Sequence, residues 1–99
     1  MMINVNESED GTVMTLTMPE KFDFSVHKDF RSSYQNSTAR NYVVDLQNTS
    51  YMDSAALGML LQLREHAGGE NDVITLKNVS GNIREILDIV NFGQLMQVN

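Results

Sequence analysis

Apolar and polar residues alternate at the start of the chain. Further on, the apolar positions spread to helical spacing, and this change marks out strands and helices. Ile3 and Val5 alternate with Asn4 and Asn6, which predicts a short first strand. Glu9-Asp10-Gly11 follows, and Asp-Gly between two alternating runs is a hairpin signal. In the second run Met14, Leu16 and Met18 fall on one face, and Val13, Thr15 and Thr17 on the other. Threonine and valine suit a strand, and Pro19, the only proline, ends it. Phe24, His27, Phe30 and Tyr34 then recur at helical spacing with Lys28, Asp29 and Arg31 between them. They predict a helix that begins near Ser25, read as its N-cap. Residues 35–41 form a polar connection.

Tyr42-Val43-Val44-Asp45-Leu46 is a nearly continuous apolar run, the pattern of a central strand buried on both faces. Residues 54–67 give the longest helical pattern. Ala56, Leu60, Leu63 and Ala67 face inward, Gly58, Gln62 and Glu65 face outward, and Met59 and Leu61 lie at the edges. Gly68-Gly69 terminates the helix. A strand over 73–76 comes next, then a helix capped by Ser80 with Ile83, Ile86, Leu87 and Val90 as its apolar stripe. Asn91-Phe92-Gly93 breaks that helix, and Leu95, Met96 and Val98 predict a last short strand. The order β-β-α-β-α-β-α-β belongs to the α/β class, a mostly parallel central sheet joined by right-handed crossovers with helices packed against it. Neither a linker nor an internal repeat interrupts residues 1–99, which read as one domain.

Composition narrows the function. A hydrophobic fraction of 41% in 99 residues supports a real core. Thirteen acidic residues against seven basic ones leave a net charge of −6, a poor match to nucleic-acid phosphates and anionic membranes. There is no cysteine, hence no disulfide framework, thiol nucleophile or thiolate metal ligand. Met1-Met2-Ile3-Asn4-Val5 has neither a basic start nor a long apolar stretch and does not read as a signal peptide. No apolar run reaches the roughly 20 residues of a membrane helix. The cytosol is the compartment that fits.

The candidate chemistry gathers at Asp53-Ser54-Ala55-Ala56-Leu57-Gly58, where a loop after a predicted strand turns into a helix. Backbone N–H groups and the helix dipole favour negative charge there. A phosphate on Ser54 would gain from that field and lie beside the Asp53 carboxylate, which reads as a switch. Plain helix capping is the ordinary alternative for a serine or aspartate in this position. A hydrolase would need a base beside Ser54, and His66 lies about 18 Å along the same helix. No Gly-x-Ser-x-Gly elbow occurs, and His27 reads as a helix-face residue. No ligand cluster for a metal and no glycine-rich nucleotide cradle is present, so neither catalytic residues nor a cofactor are predicted.

Val43-Val44-Asp45-Leu46 followed by Tyr51-Met52-Asp53-Ser54-Ala55-Ala56-Leu57-Gly58 resembles the signature of STAS domains, and most of all the stand-alone bacterial anti-sigma factor antagonists. Phe22-Asp23, Ile83-Arg84-Glu85-Ile86-Leu87 and Asn91-Phe92 extend the resemblance over nearly the whole chain. The family often has a small residue and then glycine where this chain has Ala55-Ala56, and often a glycine in the loop occupied here by Gln47-Asn48-Thr49-Ser50. The resemblance implies a non-enzymatic switch. The unphosphorylated form binds an anti-sigma factor or related regulator, a kinase (often that regulator itself) phosphorylates Ser54 and ends the binding, and a PP2C-type phosphatase restores it. The resemblance makes Asp53 the carboxylate beside Ser54 and Asp23 a contact in the adjacent loop. The inferred topology, which puts these segments at the carboxyl ends of neighbouring strands, predicts a partner surface of Phe22, Asp23, Phe24, Tyr51, Met52, Asp53, Ala55 and Met59. The alternative within the same family is a structural subunit of a lipid-transport ABC complex.

Overall fold

The computed structural model describes residues 3–70 and 73–99. Met1 and Met2, part of the chain start read above as lacking a signal sequence, lie outside the described residues. Five strands form the main sheet: β1 (Asn4–Glu7), β2 (Val13–Thr17), β4 (Asn41–Asp45), β6 (Ile74–Lys77) and β7 (Gln97–Val98). Their spatial order is β1-β2-β4-β6-β7. β1 runs antiparallel to β2, with Val5 opposite Leu16, and the remaining neighbours are parallel. The β1–β2 turn is the predicted Asp-Gly turn. Gly11 takes φ +74°, and Asp10 Oδ1 accepts from Ser8 Oγ, Thr12 Oγ1 and the Thr12 N–H.

Three helices, α1 (His27–Tyr34), α2 (Ser54–His66) and α3 (Gly81–Ile89), cover one face of this sheet. The register sorts the side chains between the two faces. Met14, Leu16, Tyr42, Val44, Ile74 and Leu76 are buried with Phe30, Leu60, Leu63, Ile83 and Leu87 from the helices. Val13, Thr15, Val43 and Thr75 point to the other face and remain half-buried. Within residues 42–46, expected to be buried on both faces, Asp45 is buried but Val43 on the face away from the helices is only half-buried. Successive crossovers advance across the sheet in one direction with one hand, so every helix lands on the same side.

Two further short strands, absent from the predicted order, form a separate parallel pair: β3 (Lys21–Phe22) and β5 (Tyr51–Met52). Two residues each is too short for a periodic signal. Loop 47–50 feeds β5 without a glycine, because no residue in it has positive φ. It is held by hydrogen bonds instead. Asp45 Oδ1 accepts from the Gln47 N–H and from Asn78 Nδ2, and buried Thr49 donates from Oγ1 to the Pro19 carbonyl.

Helix ends follow the sequence in part. Gly68 and Gly69, both at positive φ, close α2 in a Schellman arrangement, with Gly69 N–H donating to Arg64 O and Gly68 N–H to Glu65 O. The first helical segment starts earlier than predicted. Asp23, not Ser25, is the N-cap, opening a 3₁₀ turn (Phe24–Val26) that runs into α1. Ser80 stands at the N-cap of α3, but its hydroxyl donates to Asn82 Oδ1 rather than capping the backbone. Val90, expected in the buried stripe, is exposed past the end of α3. Of the predicted last strand, Leu95 and Met96 belong to the turn before β7.

Candidate functional site

The parallel pair β3–β5 places two aspartates side by side in the fold. Phe22 is in register with Met52, so the chain leaves the pair through Asp23 on one strand and Asp53 on the other. Each carboxylate then caps the helical segment that follows. Asp23 Oδ1 accepts from the Ser25 N–H at 3.0 Å and from Ser25 Oγ. Asp53, in extended backbone geometry, accepts from the Ala56 N–H at 3.1 Å. Both satisfy N–H groups that the first helical turn leaves without a partner.

Asp53 does the capping, and Ser54 is the first helical residue, exposed at the corner. Among the described residues none hydrogen-bonds its hydroxyl. His66 is on the last turn of the same helix with Nε2 3.1 Å from the Ser37 carbonyl, so it is no base for Ser54. Thermal unfolding checks the assignment. Asp53→Ala is expected to cost about 1 kcal/mol through loss of the cap, and Ser54→Ala to leave stability nearly unchanged. A larger cost for Ser54→Ala would make serine the cap.

The Ser25 hydroxyl, and after it the Ser25 N–H and the Lys21 charge, hold the Asp23 carboxyl below the ordinary aspartate range. A carboxyl lowered in the folded state stabilises the fold above its ordinary pKa, and the contribution is lost as pH falls through the lowered value. Carboxyl-carbon NMR titration is expected to place the Asp23 midpoint below that of an unstructured aspartate. Ser25→Ala should move it upward, and an unmoved midpoint would remove the Ser25 hydroxyl as the cause.

Around this corner the expected surface divides. Phe24 is 64% exposed, stacked on the His27 ring with centroids 4.4 Å apart, and Tyr51 is 50% exposed. Asp23, Asp53 and Ala55 are half-buried. Phe22, Met52 and Met59 are buried core residues, and their expected place on a partner surface is corrected. Met59 turns in beside Leu60 and Leu63 rather than lying at an exposed edge of α2. Phe22 packs 5.4 Å from Phe30, ring to ring. These three support the corner from beneath.

Gly58 ends the Asp53–Gly58 motif and was read as an outward position. It is exposed one turn below Ser54, its φ is not positive, and a Cβ there would meet nothing within 4 Å. Glycine inside a helix costs about 0.5–1 kcal/mol relative to alanine, and nothing in this fold requires it. A bare backbone beside Ser54 suits close approach by another chain. A glycine within an apolar helical pattern was the available signal.

No described helix is long and apolar enough to cross a membrane. Among the described residues no three His, Asp or Glu side chains gather as metal ligands. A cleft of about 470 Å³ does exist between the C-terminal ends of α1 and α2, lined by Arg31, Tyr34 and His66 among others. It lies at the far end of α2 from Ser54.

Residues 5–97 match the family model described as "Mlab, STAS domain". The chain belongs to the STAS domain family. A STAS-domain containing protein of Pseudomonas aeruginosa (strain UCBPP-PA14) is 50% identical over 101 residues, covering 100% of both chains. Among solved structures, this STAS domain is similar to Bacillus SpoIIAA, an anti-sigma factor antagonist, in its unphosphorylated form. The TM-score is 0.77 at 15% identity, over 98% of this chain and 87% of SpoIIAA. A Thermotoga maritima protein described as a candidate anti-sigma factor antagonist aligns at TM-score 0.78 and 17% identity, over 97% of this chain and 84% of the other. The STAS domain therefore has the fold of the anti-sigma factor antagonists: one small α/β unit with a mixed, mostly parallel sheet and three helices.

Proposed function

We propose that this STAS domain is an anti-sigma factor antagonist: a non-enzymatic, cytoplasmic protein-binding switch that unphosphorylated Ser54 leaves on and phosphorylated Ser54 turns off. The observation that carries the reading is the division of labour at the start of α2. Asp53 holds the cap, so the exposed Ser54 hydroxyl is spare, with no described residue bonded to it. In a plain capping serine the hydroxyl would be committed to the backbone. The SpoIIAA comparison supports the same role, since that antagonist exists in phosphorylated and unphosphorylated forms.

The partner is an anti-sigma factor or related switch regulator, and its kinase activity, or that of a companion, supplies the phosphate. A PP2C-type phosphatase resets the switch. Contact is made by exposed Phe24 and Tyr51, by the half-buried Asp23, Asp53 and Ala55, and over the bare backbone at Gly58. Gly58→Ala should raise unfolding stability by about 0.5–1 kcal/mol and lower affinity for the partner. Stabilisation without weaker binding would take Gly58 out of the contact.

The assignment is tested by incubating the protein with its cognate kinase and mapping the phosphate by mass spectrometry. Modification is expected mainly on Ser54. Phosphate mainly on Ser50, Ser80 or a threonine would sink the switch. Stable co-purification with a transporter ATPase, without phosphorylation, would favour the structural subunit of a lipid-transport complex instead.

A further inference from the structure

α1 and α2 each turn residues three and four apart toward the cleft between their C-terminal ends. Arg31, Tyr34 and Gln35, the C-cap of α1, line it from one side, and Gln62, Glu65 and His66 of α2 from the other. At about 470 Å³ the cleft is of small-molecule size. Part of its wall is aromatic. The Tyr34 and His66 rings meet edge to face with centroids 5.0 Å apart. The Tyr42 ring packs edge-on against both, at 6.5 Å from Tyr34 and 5.9 Å from His66.

The polar groups of this wall are not spent on one another. Among the described residues no ion pair engages Arg31 or Glu65, and none hydrogen-bonds the Tyr34 hydroxyl. Burial raises that hydroxyl above the ordinary tyrosine range, against the lowering effect of the Arg31 charge, so at neutral pH it stays a protonated donor. The Tyr42 hydroxyl is buried with no partner among the described residues. Buried polar groups are normally hydrogen-bonded, so this ring cluster holds polar capacity that the fold leaves unused. His66 Nε2 lies 3.1 Å from the Ser37 carbonyl, which can only accept. In the neutral ring Nε2 therefore carries the proton, and Nδ1 is left as an acceptor.

The two sides differ in the charge they suit. On α1 a guanidinium and a phenol offer donors to an oxyanion, and a carboxylate fits the guanidinium fork. On α2 the Glu65 carboxylate suits an ammonium. A plain anion would meet Glu65 and a net charge of −6, and a plain cation would meet Arg31. We propose that the cleft binds a small zwitterion, a free amino acid with an apolar side chain. Its carboxylate lies on Arg31 and Tyr34, its ammonium on Glu65 and its side chain against the Tyr34 and His66 rings. The site is at the end of α2 away from Ser54, and its ligand is additional to the protein partner proposed there.

The test is amide NMR of the isotope-labelled full chain, titrated with L-phenylalanine and with two analogues that each lack one charge, phenylpropionate and phenethylamine. Phenylalanine is expected to give saturable shifts at residues 31–36 and 62–66, and either analogue to bind about tenfold more weakly. Arg31→Gln should bring phenylalanine down to the level of phenethylamine, and Glu65→Gln to that of phenylpropionate. Both side chains are exposed, so neither change should move thermal unfolding. Phosphoethanolamine carries the same charge pair as a lipid headgroup but no ring, and is expected to bind more weakly than phenylalanine. The reverse order would uphold the zwitterion and make its source a headgroup. The proposal is overturned if neither zwitterion gives a saturable shift, or if the shifts lie away from the cleft. Phenylpropionate binding as tightly as phenylalanine, or phenylalanine binding unchanged in both variants, overturns it as well.

Discussion

Phe22→Ala is expected to lower the unfolding free energy by about 3–5 kcal/mol. Phe22 is fully buried and lies against Phe30, in the two-residue strand that ends at the Asp23 cap. Its loss leaves a cavity beneath the functional corner as well as removing apolar burial. Against a total stability of order 5–15 kcal/mol for a domain this size, that is a large share. Chemical denaturation followed by circular dichroism measures it. Phe24→Ala, two residues on, should behave in the opposite way, with a nearly unchanged unfolding midpoint and weakened partner binding, because that ring is mostly exposed. Equal destabilisation by the two substitutions would contradict the separation of support from contact at this corner.

That separation marks where the sequence was legible. Alternation over 13–17 and the period of 54–67 identified β2 and α2, because each element buries one regular face against the same core. Gly68-Gly69 marked the end of α2 through a backbone conformation that favours glycine. The strand pair β3–β5 was not legible, since two residues carry no period and its existence depends on pairing across 30 residues of sequence. Asp23 and Ser25 could each cap a helix. Tertiary placement of the strand end chose Asp23 and left Ser25 as the donor. Met59 was misplaced because a helical wheel gives direction but not the depth of the neighbouring core, which here reaches around the edge of α2. Phe22 and Met52 were assigned to the surface because they lie at the carboxyl ends of neighbouring strands, and alternation in β3 and β5 turns them inward beside exposed Lys21 and Tyr51.

Ser54→Asp is expected to lose most of its affinity for the partner while remaining folded. A phosphate adds roughly −1.5 to −2 charges at neutral pH, and a carboxylate imitates part of that. At the start of α2 the helix dipole stabilises an anion by about 0.3–1 kcal/mol, so the fold tolerates the charge. In an interface the same charge must be desolvated next to Asp53, a penalty of several kcal/mol when it finds no counter-charge. Each 1.4 kcal/mol is tenfold in affinity, so a loss of about 100-fold or more follows. Ser54→Ala should bind as the unphosphorylated protein does and be insensitive to the kinase, because its hydroxyl takes no part in the cap.

The most direct test of the switch is calorimetric titration of the anti-sigma factor with the protein before and after stoichiometric phosphorylation, with circular dichroism as the folding control. Tight binding before and binding about 100-fold weaker after, with superimposable spectra, is the expected result. Equal affinity of the two folded forms would contradict a charge-driven switch at Ser54.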